Sequence, residues 1–154
     1  MALLDAAGRD SIDGVQCLRG LWTGSDDASK RVQRGVAETR AAPAALHVPT
    51  IIVHGLDDGL IPPAFSSAPY VAAARDADRD LRYWQVPNAQ HFDAFLGLPV
   101  YGARYVPLLP YVYRALDAAW ARVADAKPLP EDRVFNTRPR GTDAALDAAH
   151  LGLK

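Results

Sequence analysis

The run Thr50–His54, with the sequence TIIVH, constrains the fold of this chain more than any other segment. It is short, rich in β-branched residues and apolar at successive positions, so both of its faces carry hydrophobic side chains. A strand with one solvated face alternates apolar and polar residues, whereas a strand of a parallel sheet is buried on both faces. The run therefore predicts a strand inside a parallel sheet, with helices on either side.

The segments that follow complete a strand–helix–strand unit. The turn GLDDGLIPP comes directly after the first strand, and a helix over residues 68–77 is indicated, capped by Ser66 or Ser67. The run LRYWQVP is typical of a second strand. Parallel strands need a crossover connection, and the helix between the two runs supplies it. The chain is therefore predicted to belong to the α/β class.

Further helices are predicted on both sides of this unit. The run GVQCLRGLW favours a short helix, and the run TGSDDASKRVQRGVAETRAA favours a second helix with Ser25 or Asp26 as its cap. Beyond the second strand, a helix is predicted over residues 105–124. Its apolar stripe at helical spacing is formed by Leu109, Val112, Tyr113, Leu116, Trp120 and Val123.

Composition and charge argue against several classes of function. The 154 residues carry a net charge of −1, which does not favour nucleic acid as a partner, because that partner requires a concentrated basic face. No apolar run is long enough for a membrane span, and the first residues do not resemble a signal peptide. The single cysteine, Cys17, excludes an internal disulfide and a zinc site built on cysteines. We expect no cofactor and no bound metal.

Two polar turns follow the two predicted strands. Asp57 and Asp58 come after the first strand, and His91 comes after the second. Functional groups of open α/β sheets gather beyond the carboxyl ends of the strands, and consecutive strands are usually neighbours, so an aspartate and the imidazole are expected to meet. A carboxylate bonded to one ring nitrogen fixes the histidine tautomer and stabilises the imidazolium that forms during proton transfer. The order acid then histidine agrees with the last two members of one hydrolase triad.

Simpler structural roles compete with this interpretation. An aspartate after a strand can form a turn by bonding backbone amides, and His91 can be a polar loop residue. Asp93, two residues after His91, is an alternative partner for the imidazole. His54, at the end of the first strand, is expected to support the turn. The adjacent aspartates could instead hold Mg²⁺, but the three lysines of the chain lie far from the strand ends, which disfavours metal-dependent phosphate chemistry.

The turns also resemble those of a known family. The string HGLDDGLIPP is similar to the acid turn of α/β-hydrolases, which selects Asp58 and leaves Asp57 in a variable position. The string NAQHFDAF is similar to the histidine turn of that fold and selects His91. Longer strings resemble the C-terminal part of D-(−)-3-hydroxybutyrate oligomer hydrolases, namely GVQCLRGLWTGSD, VPTIIVHGLDDGLIPPAFSSAPYV, RYWQVPNAQHFDAFLGLPVYGARYVPLLPYVYRALD and NTRPRG.

This resemblance implies a fold and an activity. Residues 1–141 would be the C-terminal portion of an α/β-hydrolase catalytic domain, with the last two strands of the parallel sheet and their flanking helices. From the polar composition of the end of the chain, rich in proline and arginine, residues 142–154 are expected to be a flexible tail. The implied function is that of a secreted or periplasmic serine esterase, which hydrolyses 3-hydroxybutyrate oligomers to monomers without a cofactor. Asp58 and His91 would be catalytic residues of a Ser-Asp-His triad.

No serine of the chain fits the place of the nucleophile. A nucleophile elbow reads Gly-x-Ser-x-Gly on a strand-to-helix turn. Ser25 follows a glycine but no predicted strand, and Ser66 and Ser67 come after the acid turn. We therefore expect the chain to be a fragment that is inactive alone, with the missing N-terminal part of the same enzyme as its partner. The alternatives are a non-catalytic remnant or interaction module, or an α/β-hydrolase for another ester or amide.

Overall fold

The computed structural model describes residues 12–142 and 145–153. The chain divides into two compact units, Met1–Ala41 and Ala42–Lys154.

The first unit contains a pair of helices, α1 (Ile12–Thr23) and α2 (Asp27–Thr39), which pack against each other. Asp26 caps α2, because its carboxylate accepts a hydrogen bond from the Ser29 amide at 3.0 Å and another from the Ser29 hydroxyl at 2.8 Å. Of the two predicted caps, Ser25 and Asp26, the structure selects Asp26.

The second unit contains a parallel sheet of three strands in the order β1 (Thr50–Gly55), β2 (Leu81–Val86) and β3 (Arg133–Val134). All six residues of β1 pair with the six residues of β2. The two predicted strands and the α/β class are confirmed. The third strand was not predicted, since two exposed residues carry no hydrophobic pattern. The prediction of two strands was therefore one too few for this unit.

Helices follow each strand of this unit. The helix predicted over residues 105–124 begins only at Leu109, because Pro110 is tolerated in a first turn and not further inside a helix. No helix among the described residues combines the length and the apolar character that crossing a bilayer requires. The helices of this unit are α3 (Ser67–Asp76), α4 (Pro99–Arg104), α5 (Leu109–Asp125) and α6 (Ala148–Leu151), with 3-10 turns at Pro43–Ala45, Pro63–Phe65 and Asp93–Gly97.

Helices cover both faces of the sheet, as the apolar character of β1 predicted. Alternate residues of β2 point to opposite faces and enter two separate hydrophobic clusters. The cluster on the α3 side contains Val71, Ala74, Leu81 and Tyr83. The cluster on the α5 side contains Trp84, Val86, Ala89, Val106, Tyr111, Ala115 and Phe135.

Residues 145–153 make packed contacts with other parts of this unit. They include α6, which is capped by Asp147 and buries the side chain of His150. The Tyr111 hydroxyl donates a hydrogen bond to the carbonyl of Leu151 at 2.6 Å, and the Arg138 amide donates to the carbonyl of His150 at 2.9 Å. These bonds attach α6 to α5 and to the segment that follows β3.

Candidate active site

The turn after β1 presents one buried carboxylate, that of Asp58. The residue is only 5% exposed, and its Oδ1 accepts hydrogen bonds from the amides of Leu60 at 3.1 Å and Ile61 at 3.0 Å. Its second oxygen, Oδ2, lies 2.6 Å from Nδ1 of His91. The structure thus brings together the two residues that the sequence predicted to meet at the carboxyl ends of neighbouring strands.

Asp58 is held in its ionised form. Burial by itself raises the pKa of the carboxyl group, because a charged group is less well solvated there. Hydrogen bonds from the Ile61 amide, from His91 and from the Leu60 amide favour the carboxylate and outweigh this effect, so the pKa lies below its ordinary value of 3.8. Since an ionised carboxylate only accepts hydrogen bonds, the Nδ1 atom of His91 must be the donor.

This arrangement leaves the other ring nitrogen of His91 for chemistry. With the proton on Nδ1, Nε2 of the neutral ring carries a lone pair and is a base. The His91 side chain is 28% exposed, compared with 2% for that of Asp58, so the acid is enclosed and the base is accessible. A buried carboxylate bonded to an accessible imidazole is the arrangement by which the acid of a catalytic triad orients its histidine for general acid–base catalysis.

Backbone contacts fix the two turns to each other. The Leu56 amide donates to the carbonyl of Val86 at 2.9 Å, and the Asp57 amide donates to the carbonyl of Ala89 at 3.2 Å. Gly55 approaches the Ala89 carbonyl so closely that a β-carbon at this position would overlap with it. A glycine at the end of β1 is therefore needed for the acid turn and the histidine turn to approach.

Hydrogen bonds with Thr137, which is distant in sequence, fix the backbone just before the histidine turn. Asn88 has a φ of 54°, in the left-handed region, and its side-chain amide donates to Oγ1 of Thr137 at 3.0 Å. The Thr137 hydroxyl in turn donates to the carbonyl of Pro87 at 2.6 Å. The Val106 amide donates to the Asn88 carbonyl at 2.7 Å. These bonds, here called the Thr137 bridge, fix the backbone three residues before His91.

Sequence reasoning missed the Thr137 bridge. Asparagine tolerates the left-handed region better than most residues, so the position of Asn88 after Pro87 gave a local signal for a turn. Thr137 gave no such signal, because it lies 49 positions further along the chain. It belongs to the string NTRPRG, whose residues indicate neither a strand nor a contact with the histidine turn.

The competing candidates have structural contacts. Asp57 is exposed, and its neighbour Asp58 occupies the buried position. The carboxylate oxygens of Asp93 accept from the amides of Leu108 at 2.7 Å and Leu109 at 2.8 Å, whereas Nδ1 of His91 is bonded to Asp58. Asp93 therefore stabilises the start of α5, where backbone amides lack helical partners.

His54 supports the acid turn, as predicted. Its Nε2 lies 2.9 Å from the carbonyl oxygen of Ile61 and 3.9 Å from Oδ2 of Asp58. The contact with the Ile61 carbonyl stabilises the turn whose Leu60 and Ile61 amides bind Asp58. The role of His54 is therefore to keep this turn in place.

The serines near this site are engaged in structural hydrogen bonds. The Ser66 hydroxyl donates to the carbonyl of Pro62 at 2.8 Å, and the Ser67 hydroxyl lies 2.6 Å from the buried hydroxyl of Tyr83. Within residues 12–142 and 145–153, no three histidine, cysteine or acidic side chains group as ligands of a metal ion.

An apolar cleft of about 350 Å³ opens beside His91. The imidazole and the 3-10 turn that follows it form one wall, and the start of α5 forms the other. The apolar lining residues are Phe92, Ala94, Leu108, Leu109 and Val112. A cleft with this lining favours small aliphatic groups next to the imidazole.

Comparison with known proteins relates this chain to one family. The sequence matches the 3HB-oligomer hydrolase (3HBOH) family over residues 5–152. A D-(−)-3-hydroxybutyrate oligomer hydrolase of Paracidovorax citrulli is 48% identical over 138 residues, which are 85% of this chain and 20% of the relative. Proteins of the same name from Cupriavidus necator and Azoarcus sp. are 46% and 40% identical, over 84% and 92% of this chain.

The chain spans about a fifth of the length of the curated relatives that it matches. No solved structure matches the chain.

Proposed function

This chain belongs to the 3HB-oligomer hydrolase family, and on that premise we propose that it supplies the acid and the histidine of a serine esterase for 3-hydroxybutyrate oligomers. The observation that carries the proposal is the 2.6 Å contact between Oδ2 of Asp58 and Nδ1 of His91, at the carboxyl ends of two adjacent parallel strands. The nucleophilic serine is proposed to lie in polypeptide outside this chain, because no serine of the chain stands in a Gly-x-Ser-x-Gly string, and the Ser66 and Ser67 hydroxyls near the site are engaged in hydrogen bonds.

In the proposed mechanism Nε2 of His91 moves the protons. It takes the proton of the serine hydroxyl while the serine oxygen attacks the ester carbonyl, and Asp58 stabilises the imidazolium that results. As the bond between the acyl carbon and the ester oxygen breaks, the imidazolium gives this proton to the departing alkoxide oxygen, which becomes the hydroxyl group of the released 3-hydroxybutyrate unit. Water attacks the acyl-enzyme in the second half, with Nε2 again acting first as base and then as acid. The apolar cleft beside His91 would take the methyl-bearing chain of the substrate.

The proposed fold around this site is that of an α/β-hydrolase. In that fold the acid and the histidine follow the nucleophile in chain order and lie on turns after sheet strands. Three observations support this assignment: Asp58 precedes His91 in the chain, β1 pairs in parallel with β2, and helices lie on both faces of the sheet.

A hybrid enzyme tests the function. In the Paracidovorax citrulli relative, the region similar to this chain is replaced by this chain, and release of 3-hydroxybutyrate from its dimer is measured. We expect the hybrid to hydrolyse the dimer and the substitution His91→Gln to lower kcat by at least about 10³-fold. The matched control is His47→Gln, since His47 is exposed in the connection before β1. The unmodified chain alone should show no turnover.

Two results would overturn the proposal. A folded hybrid in which H91Q and H47Q are equally active would remove His91 from the mechanism and favour a non-catalytic module. Turnover by the chain alone at the rate of the hybrid would show that the nucleophile lies within the chain.

A further inference from the structure

The sequence of β1 does not suit the position that β1 occupies. It is apolar on both faces, with Ile51 and Val53 facing the α5 side and Ile52 facing the α3 side, as expected for an interior strand. Yet it lies at the edge of the sheet, and no described strand pairs with its outer edge. Every residue of β1 before Gly55 is only partly buried, whereas four of the six residues of β2 are buried.

The exposed face of α5 is apolar in the same region. Leu116, Trp120 and Val123 are 64%, 70% and 71% exposed, although surface helices usually carry polar residues on the face away from the core. At 3.6 residues per turn these positions form one stripe, with Leu109, Val112 and Tyr113 also on it. The exposed residues Asp117 and Arg114 lie beside this stripe, on the side away from the sheet, so the apolar stripe is bordered there by charged side chains.

The edge of β1 and the stripe on α5 form one continuous surface. An apolar groove of about 380 Å³ joins them, lined by Ile51, Val53, Val112, Ala115, Leu116 and Ala119. An unpaired strand edge next to a large apolar patch is a feature that natural proteins usually cover, since both promote aggregation. This surface is called the β1–α5 face below.

We infer that the β1–α5 face is where the remainder of the oligomer hydrolase docks, by adding a parallel strand to the outer edge of β1. The region similar to this chain is about a fifth of each relative, so in those proteins four-fifths of the polypeptide lies outside it. Addition of a strand would give β1 two neighbours, in agreement with its interior type of sequence, and the layer above that strand would cover Leu116 and Trp120. The occupant is therefore a segment of a longer hydrolase.

The docked strand would also extend the sheet on the acid side of the site. The order would become the new strand, β1 with Asp58 after it, and β2 with His91 after it. A turn that follows the added strand would then lie next to the Asp58–His91 pair, at the carboxyl ends of the parallel strands. This consequence rests on the proposed function, whereas the docking itself does not.

Binding of a defined probe tests the docking surface. The probe is the Paracidovorax citrulli relative from which the region similar to this chain has been deleted, and light scattering after size exclusion gives the stoichiometry. We expect a 1:1 complex with this chain, weakened at least tenfold by Leu116→Lys and by Trp120→Lys. Asp117→Lys, a larger change of charge on the same helix, should alter affinity less than twofold. All three positions are exposed, so circular dichroism of the free chain should not change.

A second measurement covers the case in which the deleted relative does not fold. In the hybrid enzyme, the amides of β1 should exchange hydrogen at least tenfold more slowly than in the chain alone, because a neighbouring strand protects the outer edge. Three results would overturn the inference: a complex indifferent to L116K and W120K, self-association of the chain through this face, or unchanged β1 exchange in the hybrid. A complex that forms but does not hydrolyse the dimer would refute the proposed function and leave the docking surface intact.

Discussion

The substitution Asp58→Asn gives the sharpest test of the Asp58–His91 pair. Asparagine keeps the shape of the side chain, and its oxygen can still accept from the amides of Leu60 and Ile61, as Oδ1 of the carboxylate does at 3.1 and 3.0 Å. Its NH₂ group then faces Nδ1 of His91, where Oδ2 lies at 2.6 Å in the wild type. An NH₂ group only donates, so Nδ1 must become the acceptor and the ring proton moves to Nε2.

The expected fall in kcat follows from this change of the His91 tautomer. Protonated Nε2 cannot take the proton of the nucleophile, and a wrong tautomer of this kind costs about 10⁴ in kcat. Four factors of ten at about 1.36 kcal/mol each correspond to about 5 kcal/mol of transition-state stabilisation. The assay is hydrolysis of 3-hydroxybutyrate dimer by the hybrid enzyme, with KM and kcat measured separately.

The neighbouring carboxylate provides the control for this prediction. Asp57→Asn removes the same charge from an exposed position one residue away and should leave kcat within about twofold. A fall of less than tenfold in D58N would refute the reasoning. Equal falls in D57N and D58N would do so too, since the effect would then reflect general loss of charge near the site.

The remaining predictions concern stability and the fixing of the turns. The pKa of folded-state Asp58 lies below 3.8, so its ionised form stabilises the fold above pH 3.8, and this stabilisation is lost as pH falls through the folded-state pKa. In urea unfolding, the difference in free energy of unfolding between the wild type and D58N should therefore shrink over that acidic range. Thr137→Val removes the hydroxyl that donates to the Pro87 carbonyl at 2.6 Å and should lower the free energy of unfolding by about 1–3 kcal/mol. Gly55→Ala places a β-carbon against the Ala89 carbonyl and should cost about 1–3 kcal/mol, measured by the same unfolding.

Each of these has a result that contradicts it. A constant difference between wild type and D58N from pH 7 to pH 2 would mean that the carboxylate form of Asp58 does not stabilise the fold. Thr137→Val within 0.5 kcal/mol of the wild type would mean that the Thr137 bridge does not hold its turn, as for an ordinary surface change. Gly55→Ala at wild-type stability would mean that the two turns are not in close contact.

The sequence predicted the parts of the site that depend on local pattern. β1 and β2 are continuous runs of strand-forming residues, and their parallel pairing follows from the helix between them. That pairing places Asp58 and His91 at the same sheet edge, so their proximity was predictable. Spacing alone left Asp57 and Asp58 equivalent. The choice depends on which carboxylate the Leu60 and Ile61 amides can reach, which is a property of the folded turn.

The parts that the sequence did not predict depend on distant contacts. β3 has two exposed residues and is a strand only because it pairs with β2, which lies 49 positions earlier. The helix α6 is four residues long, too short to be stable alone, and its carbonyl at Leu151 accepts from Tyr111 of α5. Thr137 has no pattern around it that indicates a contact with Pro87 and Asn88. In each case tertiary structure decides a conformation that local preference leaves open.

The protonation state of the His91 ring tests the central claim most directly, because it can be measured without a nucleophile or a substrate. Nitrogen NMR of the ¹⁵N-labelled chain, recorded where the ring carries a single proton, should show that proton on Nδ1 and a bare Nε2, since Oδ2 of Asp58 accepts from Nδ1 at 2.6 Å. The proton should move to Nε2 in D58N and stay on Nδ1 in D57N. A wild-type ring with its proton on Nε2, unaffected by either substitution, would contradict the account.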